Sequence, residues 1–85
     1  METKQELPKW FDGELYTTGD EVMNPFTGQT YPLTAEELSM YDFIMGCNFL
    51  MENNNYLPKN TIKNFTKALN WFRKNNPEAY MVLLD

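Results

Sequence analysis

The sequence predicts an α+β fold in which an N-terminal β-hairpin packs on two main α-helices and a short C-terminal helix. Three observations support this prediction: a turn with proline and glycine between two β-prone stretches, a helix-capping pattern at residue 34, and apolar residues spaced by three and four after residue 58. The chain has 85 residues, enough for one small hydrophobic core. We therefore treat residues 1–85 as a single small domain.

The hairpin is predicted around the sequence Asn-Pro-Phe-Thr-Gly at residues 24–28. Asparagine suits the first position of a turn, proline presets the second, and glycine tolerates a positive φ at the exit. The flanking strands are expected at 21–23 and 29–31, and an earlier Gly-Asp turn signal predicts a third short strand at 15–17. Residues 1–13 are expected either to form a turn pinned by their aromatic pair or to fray.

The clearest helix start in the chain lies at Thr34. Its hydroxyl suits the N-cap position, and Glu37 follows three residues later, which completes the pattern of a capping box. This first helix is expected to run to about Glu52. The three asparagines at 53–55 favour a turn and predict its end there.

Two further helices are predicted in the last third of the chain. One begins after Pro58 and runs to about Lys74. The other is short and ends near Leu84; Asn76 is its expected N-cap and Pro77 its first residue, where the missing N–H of proline costs nothing.

The first predicted helix is unusually apolar, because ten of the fourteen residues from 38 to 51 are hydrophobic. An amphipathic surface helix carries a much narrower apolar stripe. The helix is therefore either the central helix of the fold or partly an interface for a partner or a second copy. Gly46, in mid-helix, predicts a close approach of another element. The candidate interface residues are Met40, Tyr41, Ile44, Met45 and Met51.

The second predicted helix is conventionally amphipathic. Its apolar residues, expected to face the core, are Ile62, Phe65, Leu69 and Phe72. A different face carries the candidate nucleic-acid contacts, which are Lys59, Lys63, Lys67 and the nearby Trp71. Such a stripe is either a solvated surface or a track for a phosphate backbone with an aromatic ring that stacks on a base.

The composition argues against common catalytic and metal-binding chemistry. The chain has no histidine, and its single cysteine, Cys47, lies among apolar residues and is expected to be a small core residue. The carboxylates between residues 12 and 21 lack the ligand spacing of a calcium-binding loop. We therefore predict no enzyme activity and no catalytic, cofactor-binding or metal-binding residues.

Charge is distributed unevenly along the chain, whose net charge is −5. Residues 1–57 hold ten acids and two lysines, whereas residues 58–85 hold five basic residues and two acids. The acidic balance makes general nucleic-acid binding unfavourable. The charged N-terminus is unlike a signal peptide, and no apolar run is long enough for a membrane span, so we expect a cytoplasmic protein.

Three short segments carry a resemblance to a known group of proteins. They are the turn segment 22–28, the Leu-Thr pair at 33–34, and the Tyr-Asp-Phe-Ile-Met-Gly sequence at 41–46. Together, over roughly residues 20–50, they resemble small uncharacterised proteins of marine bacteriophages. The resemblance implies a phage or marine bacterial origin, in which case the location would be the host cytoplasm, and it implies no biochemical activity.

The sequence therefore predicts a small non-enzymatic protein-binding or accessory protein whose ligand is another protein or a second copy. No small-molecule substrate or cofactor is evident. The alternative is a nucleic-acid-associated module that uses the lysine stripe of the second helix.

Overall fold

The computed structural model describes residues 6–11, 13–53 and 57–84. A β-hairpin precedes three helices, as predicted. The elements are β1 (Asp20–Met23), β2 (Thr30–Leu33), α1 (Ala35–Glu52), α2 (Lys59–Asn75) and α3 (Pro77–Leu83). None of the helices in the described part of the chain is long and apolar enough to cross a membrane.

The two strands pair antiparallel, with Val22 opposite Tyr31 and Met23 opposite Thr30. The second strand begins one residue later than predicted, because the carbonyl of Gln29 closes the loop by accepting from the N–H of Asn24 (2.8 Å). It also extends through Pro32. Proline is tolerated there because each strand of a two-stranded sheet has an open edge that needs no N–H donor.

The predicted third strand at 15–17 is wrong, since no strand is formed in this segment. The N–H of Tyr16 instead donates to the hydroxyl of Ser39 on α1 (2.9 Å). The chain then passes so close to the start of α1 that a Cβ at Gly19 would collide with the carbonyl oxygen of Leu33. This segment is therefore a strap held against α1 rather than a partner of the hairpin.

The capping box predicted for α1 is confirmed. Thr34 Oγ1 accepts from the N–H of Glu37 (3.2 Å), and Glu37 Oε1 accepts from the N–H of Thr34 (2.9 Å). The predicted start of α3 is also confirmed, because Asn76 Oδ1 accepts from the N–H of Ala79 (3.2 Å) and Pro77 is the first residue of the helix.

The core lies where the three helices and β2 meet. Its buried members are Leu33, Met40, Tyr41, Ile44, Ala68, Phe72, Ala79 and Leu83. The rings of Tyr41 and Phe72 join α1 to α2, with centroids 6.4 Å apart. On the predicted core face of α2, Phe72 is buried and Phe65 and Leu69 are half-buried. Ile62 is 49% exposed, contrary to prediction, because the buried residues of α2 lie further along the helix than its first turn.

In the N-terminal segment, the described residues form the predicted turn, and its aromatic pair packs on α1. A turn closes when the N–H of Phe11 donates to the carbonyl of Pro8 (3.1 Å). The rings of Trp10 and Phe11 then pack against Phe43 of α1, with centroid distances of 6.3 and 5.8 Å. Residues 1–5 and 12 lie outside the described residues.

Candidate functional site

Three of the five candidate interface residues belong to the core of the chain itself. Met40 and Ile44 are completely buried, and Tyr41 is nearly so. The interface assignment is corrected for these three, because a partner could reach them only if the core opened. Met45 is half-buried and Met51 is exposed. The first helix is thus a central helix over most of its length, and only its last turns offer an apolar surface.

The lysine stripe lies on the exposed side of α2, since Lys59, Lys63 and Lys67 are all exposed. Trp71 does not belong to that surface. Its ring is half-buried and packed against the core, and its indole N–H donates to the carbonyl of Glu6 (3.2 Å). The indole therefore fastens the N-terminal segment to α2, and the structure does not bring it together with the lysines as a free stacking platform.

The buried polar residues have structural partners. Asn24, Glu37 and Ser39 are buried, and every buried side-chain nitrogen and oxygen in the described part of the chain is hydrogen-bonded. Ser39 accepts from the strap and donates to the carbonyl of Ala35 (2.8 Å). Cys47 is buried in α1, as predicted, and burial raises the pKa of its thiol. Within the described ranges, no group of three or more acids and cysteines is placed to hold a metal ion.

An apolar cleft opens at the end of the molecule where the hairpin loop, the last turns of α1 and the end of α3 converge. Its volume is about 520 Å³. We call it the hairpin cleft; it is lined by residues 24–26, by Met45, Asn48, Phe49 and Glu52, and by residues 83–84. Two of these side chains are large, apolar and exposed to solvent, since Phe26 is 91% exposed and Phe49 is 64% exposed.

Asn24 positions Phe26 at the rim of the cleft. Its Oδ1 accepts from the N–H of Phe26 (2.8 Å), and its carbonyl accepts from the N–H of Gly28 (2.8 Å), whose φ of 77° closes the loop. Its Nδ2 donates to the carbonyl of Val82 on α3 (2.9 Å). One buried amide therefore shapes the loop and ties it to α3, which holds the backbone at Phe26 beside the cleft.

The opposite wall of the cleft is a single face of α1. Met45, Asn48, Phe49 and Glu52 are spaced by three and four residues, so they lie along two turns of the helix. Two turns span about 11 Å at 1.5 Å per residue. The wall is apolar in its first part and ends on a carboxylate.

The electrostatic environment of the cleft is negative. The helices α1 and α3 both end at it, and the carbonyl end of a helix carries a partial negative charge. Neither has a basic residue in its last turn, whereas α2 has Arg73 and Lys74 there. Among the described lining residues Glu52 is the only charged one. The cleft therefore combines apolar walls with a potential that favours cations.

No protein-family model, curated protein or solved structure matches the chain. The cleft itself has an exposed aromatic side chain at its rim, an apolar wall and a negative end.

Sequence reasoning missed the two residues that define the cleft. The sequence predicts Phe26 only as part of a turn and Phe49 only as part of an apolar helix. The sequence does contain one indication of the Phe26 position. A phenylalanine in the turn of a hairpin lies beyond the strands that pack on the core, so its ring is expected to be exposed. The convergence of residues 24–26 with 83–84 depends on the tertiary fold and leaves no local pattern.

Proposed function

We propose that this protein is a small protein-binding domain that captures a segment of a partner in the hairpin cleft. The observation that carries the proposal is the exposure of Phe26 and Phe49 on either side of one apolar cleft. Interfaces derive most of their affinity from a few aromatic anchors in desolvated pockets. Exposing two phenylalanines to water is unfavourable for an isolated chain, and a partner that covers them removes that cost.

The loop that carries Phe26 is organised before binding, which favours capture of a partner. Asn24 ties this loop to α3, so little backbone conformational entropy is lost when Phe26 is covered. The phage resemblance and the buried, unpaired thiol of Cys47 fit an accessory role in a reducing cytoplasm.

A peptide-library selection on the full chain tests the proposal. We expect the selected peptides to carry apolar anchors and to lose about tenfold or more in affinity on Phe26→Ser or Phe49→Ser, as hot-spot aromatics do. Met81→Ser is the matched control, because Met81 is also exposed and apolar but does not line the cleft. Peptides that bind equally well to all three variants, or a library that yields no binder, would overturn the proposal.

The lysine stripe supports a weaker second candidate, a nucleic-acid-associated role. Its three lysines are exposed, but Trp71 is engaged with the N-terminal segment. A salt titration with a single-stranded oligonucleotide tests it. Binding through three lysines should weaken steeply as salt rises, and it should be lost when all three are changed to glutamine.

A further inference from the structure

The chemistry of the hairpin cleft points to one class of occupant, and this inference rests on the proposed function. We infer that the cleft binds a basic amphipathic helix, whose apolar residues contact Phe26 and Phe49 and whose Lys or Arg side chains face Glu52 and the ends of α1 and α3.

The shape of the wall supports a helical occupant. Its residues repeat along two turns of α1, from Met45 to Glu52. A helix laid beside such a wall offers its own anchors at spacings of three, four and seven residues, which is the usual pattern of helix-in-groove recognition. Phe26 would then close over the helix from the loop side. The cleft volume of about 520 Å³ is enough for a few large side chains.

The charge of the occupant follows from the carboxylate of Glu52 and from the two helix C-termini at the cleft. Among the described residues no lysine or arginine lines it, and two helix C-termini end there beside Glu52. The whole chain carries a net charge of −5. A basic segment is therefore attracted during approach and gains local pairing once bound.

A second copy of the chain fits this cleft poorly. A symmetric contact would bring two chains of net charge −5 together with like surfaces facing, Glu52 included. Among the helices of the described residues, α2 is the basic amphipathic one, and its apolar face is occupied by its own core through Ala68 and Phe72. We therefore expect the protein to remain monomeric in light scattering after size exclusion.

Three synthetic helical peptides test the inference directly. Each is about 16 residues long, so that it can form a helix, and all share the same Leu and Phe anchors. Their polar positions are all Lys, all Gln or all Glu. Fluorescence anisotropy should rank the affinities Lys above Gln above Glu. The differences should be smaller at about 150 mM salt than at about 10 mM, because salt screens exposed charges.

Variants of the protein separate this inference from the proposed function. Phe26→Ser should weaken all bound peptides about tenfold, as expected for loss of an aromatic anchor. Glu52→Gln should weaken only the Lys peptide, by about two- to fivefold, as expected for an exposed ion pair. Glu14→Gln is the matched control, because Glu14 is exposed and does not line the cleft.

The remaining outcomes distinguish the basic helical occupant from the protein-binding function. Equal affinity for the three peptides, all dependent on Phe26, overturns the basic occupant and leaves the protein-binding function intact. Binding that does not depend on Phe26 overturns both the basic occupant and the protein-binding function of the cleft. If none of the three peptides binds, the helical occupant is wrong, and the library selection alone decides the function. A concentration-dependent dimer that Phe26→Ser dissociates would assign the cleft to a second copy.

Discussion

Asn24 shows how one buried side chain can serve both fold and site. It is only 7% exposed, and its amide joins the hairpin loop to α3 while its Oδ1 shapes the loop. Asn24→Ala should lower the free energy of unfolding by about 2–3 kcal/mol, because it leaves the Val82 carbonyl and the N–H groups of Phe26 and Thr27 without their partner. Urea denaturation measures this change.

Two neighbouring variants locate the cause of the Asn24 effect. Thr27→Ala should cost less than about 0.5 kcal/mol, because the bond from the N–H of Gln29 to Thr27 Oγ1 is exposed and water can replace it. Asn24→Asp retains the loop acceptor but removes the donor to Val82, so it should also be destabilising. If Asn24→Ala costs no more than Thr27→Ala, the tie to α3 contributes nothing to stability.

Gly46 is a position where the sequence prediction was wrong and the error is informative. A close approach was expected there, but a Cβ on Gly46 would meet nothing within 4 Å, and the residue is exposed. Gly46→Ala should therefore raise the free energy of unfolding by up to about 1 kcal/mol, the difference in helix propensity between the two residues. Thermal or urea unfolding measures it.

Gly28→Ala is the matched control for this prediction. A Cβ there also meets nothing within 4 Å, but Gly28 has a φ of 77°. The same substitution should therefore destabilise by about 1–2 kcal/mol through backbone strain alone. A destabilising Gly46→Ala would instead mean that something covers this face of α1.

The role of a single residue can be predicted from the sequence when its partners are close neighbours along the chain. The turn role of Asn24 is set by its neighbours in sequence, and so it was predicted. Its bond to Val82 spans 58 residues, and no pattern near Asn24 reveals it. The cleft has the same limit, because its lining residues come from segments far apart in the chain.

At the scale of elements, the starts of α1 and α3 form one connected network. Glu37 Oε1 caps α1 at Thr34, while its Oε2 accepts from Asn76 Nδ2 (3.1 Å). Asn76 in turn caps α3 through Ala79. Each cap was predicted from the sequence because a capping pattern occupies only a few consecutive residues. The link between the caps joins residues that are 39 positions apart, so no local sequence pattern predicts it.

A double-mutant cycle measures this link. Glu37→Ala and Asn76→Ala should each lower the free energy of unfolding by about 1–2 kcal/mol through loss of a cap. The double variant should lose about 1 kcal/mol less than the sum, because the Glu37–Asn76 bond is removed by either change. Urea denaturation of the four proteins provides the coupling energy.

The neighbouring acid provides the control for the cycle. Glu36 also lies in the first turn of α1 but is not the acid bonded to Asn76. Glu36→Ala and Asn76→Ala should therefore be additive to within about 0.5 kcal/mol. Equal coupling for Glu36 and Glu37 would mean that the effect is a general response of the helix start.

The wrong third strand shows where element prediction fails. The segment 15–17 has the composition of a short strand, but strand preference depends strongly on the surroundings of a segment. The hydroxyl of Ser39, buried on α1, offers the N–H of Tyr16 a partner instead. Tertiary contacts therefore determine the conformation of this segment, because its local preference for a strand is weak.

At the scale of the whole molecule, the size of the chain explains where the cleft lies. Among the described residues of α1, the buried side chains lie between Glu37 and Cys47, and the helix extends beyond them to Glu52. A small domain has too few elements to cover such an end. The apolar composition of α1 therefore corresponds to buried core positions in one part of the helix and to exposed apolar side chains in its last turns.

Unfolding at alkaline pH tests the whole fold, because folding raises the pKa values of Tyr31, Tyr41 and Cys47. A hydrogen bond to Glu78 raises the pKa of Tyr31 above its ordinary value of 10.0, and burial raises those of Tyr41 and Cys47. A raised pKa means that the folded chain holds its proton more tightly than the unfolded chain. Stability from these groups is therefore fully present below the unfolded pKa values and is lost as pH rises through the folded ones.

We accordingly expect the free energy of unfolding to fall as pH rises above about 9, the ordinary pKa of a thiol, and more steeply above about 10, the ordinary pKa of tyrosine. Urea denaturation at a series of pH values measures it. Tyr31→Phe should flatten part of the decline, because it removes the phenol that donates to Glu78 (2.9 Å) without opening the core. Leu15→Ser, at an exposed residue that does not titrate, should leave the slope unchanged. Stability that stays constant or rises up to pH 11 would contradict the burial of Cys47 and Tyr41 together with the Tyr31–Glu78 bond.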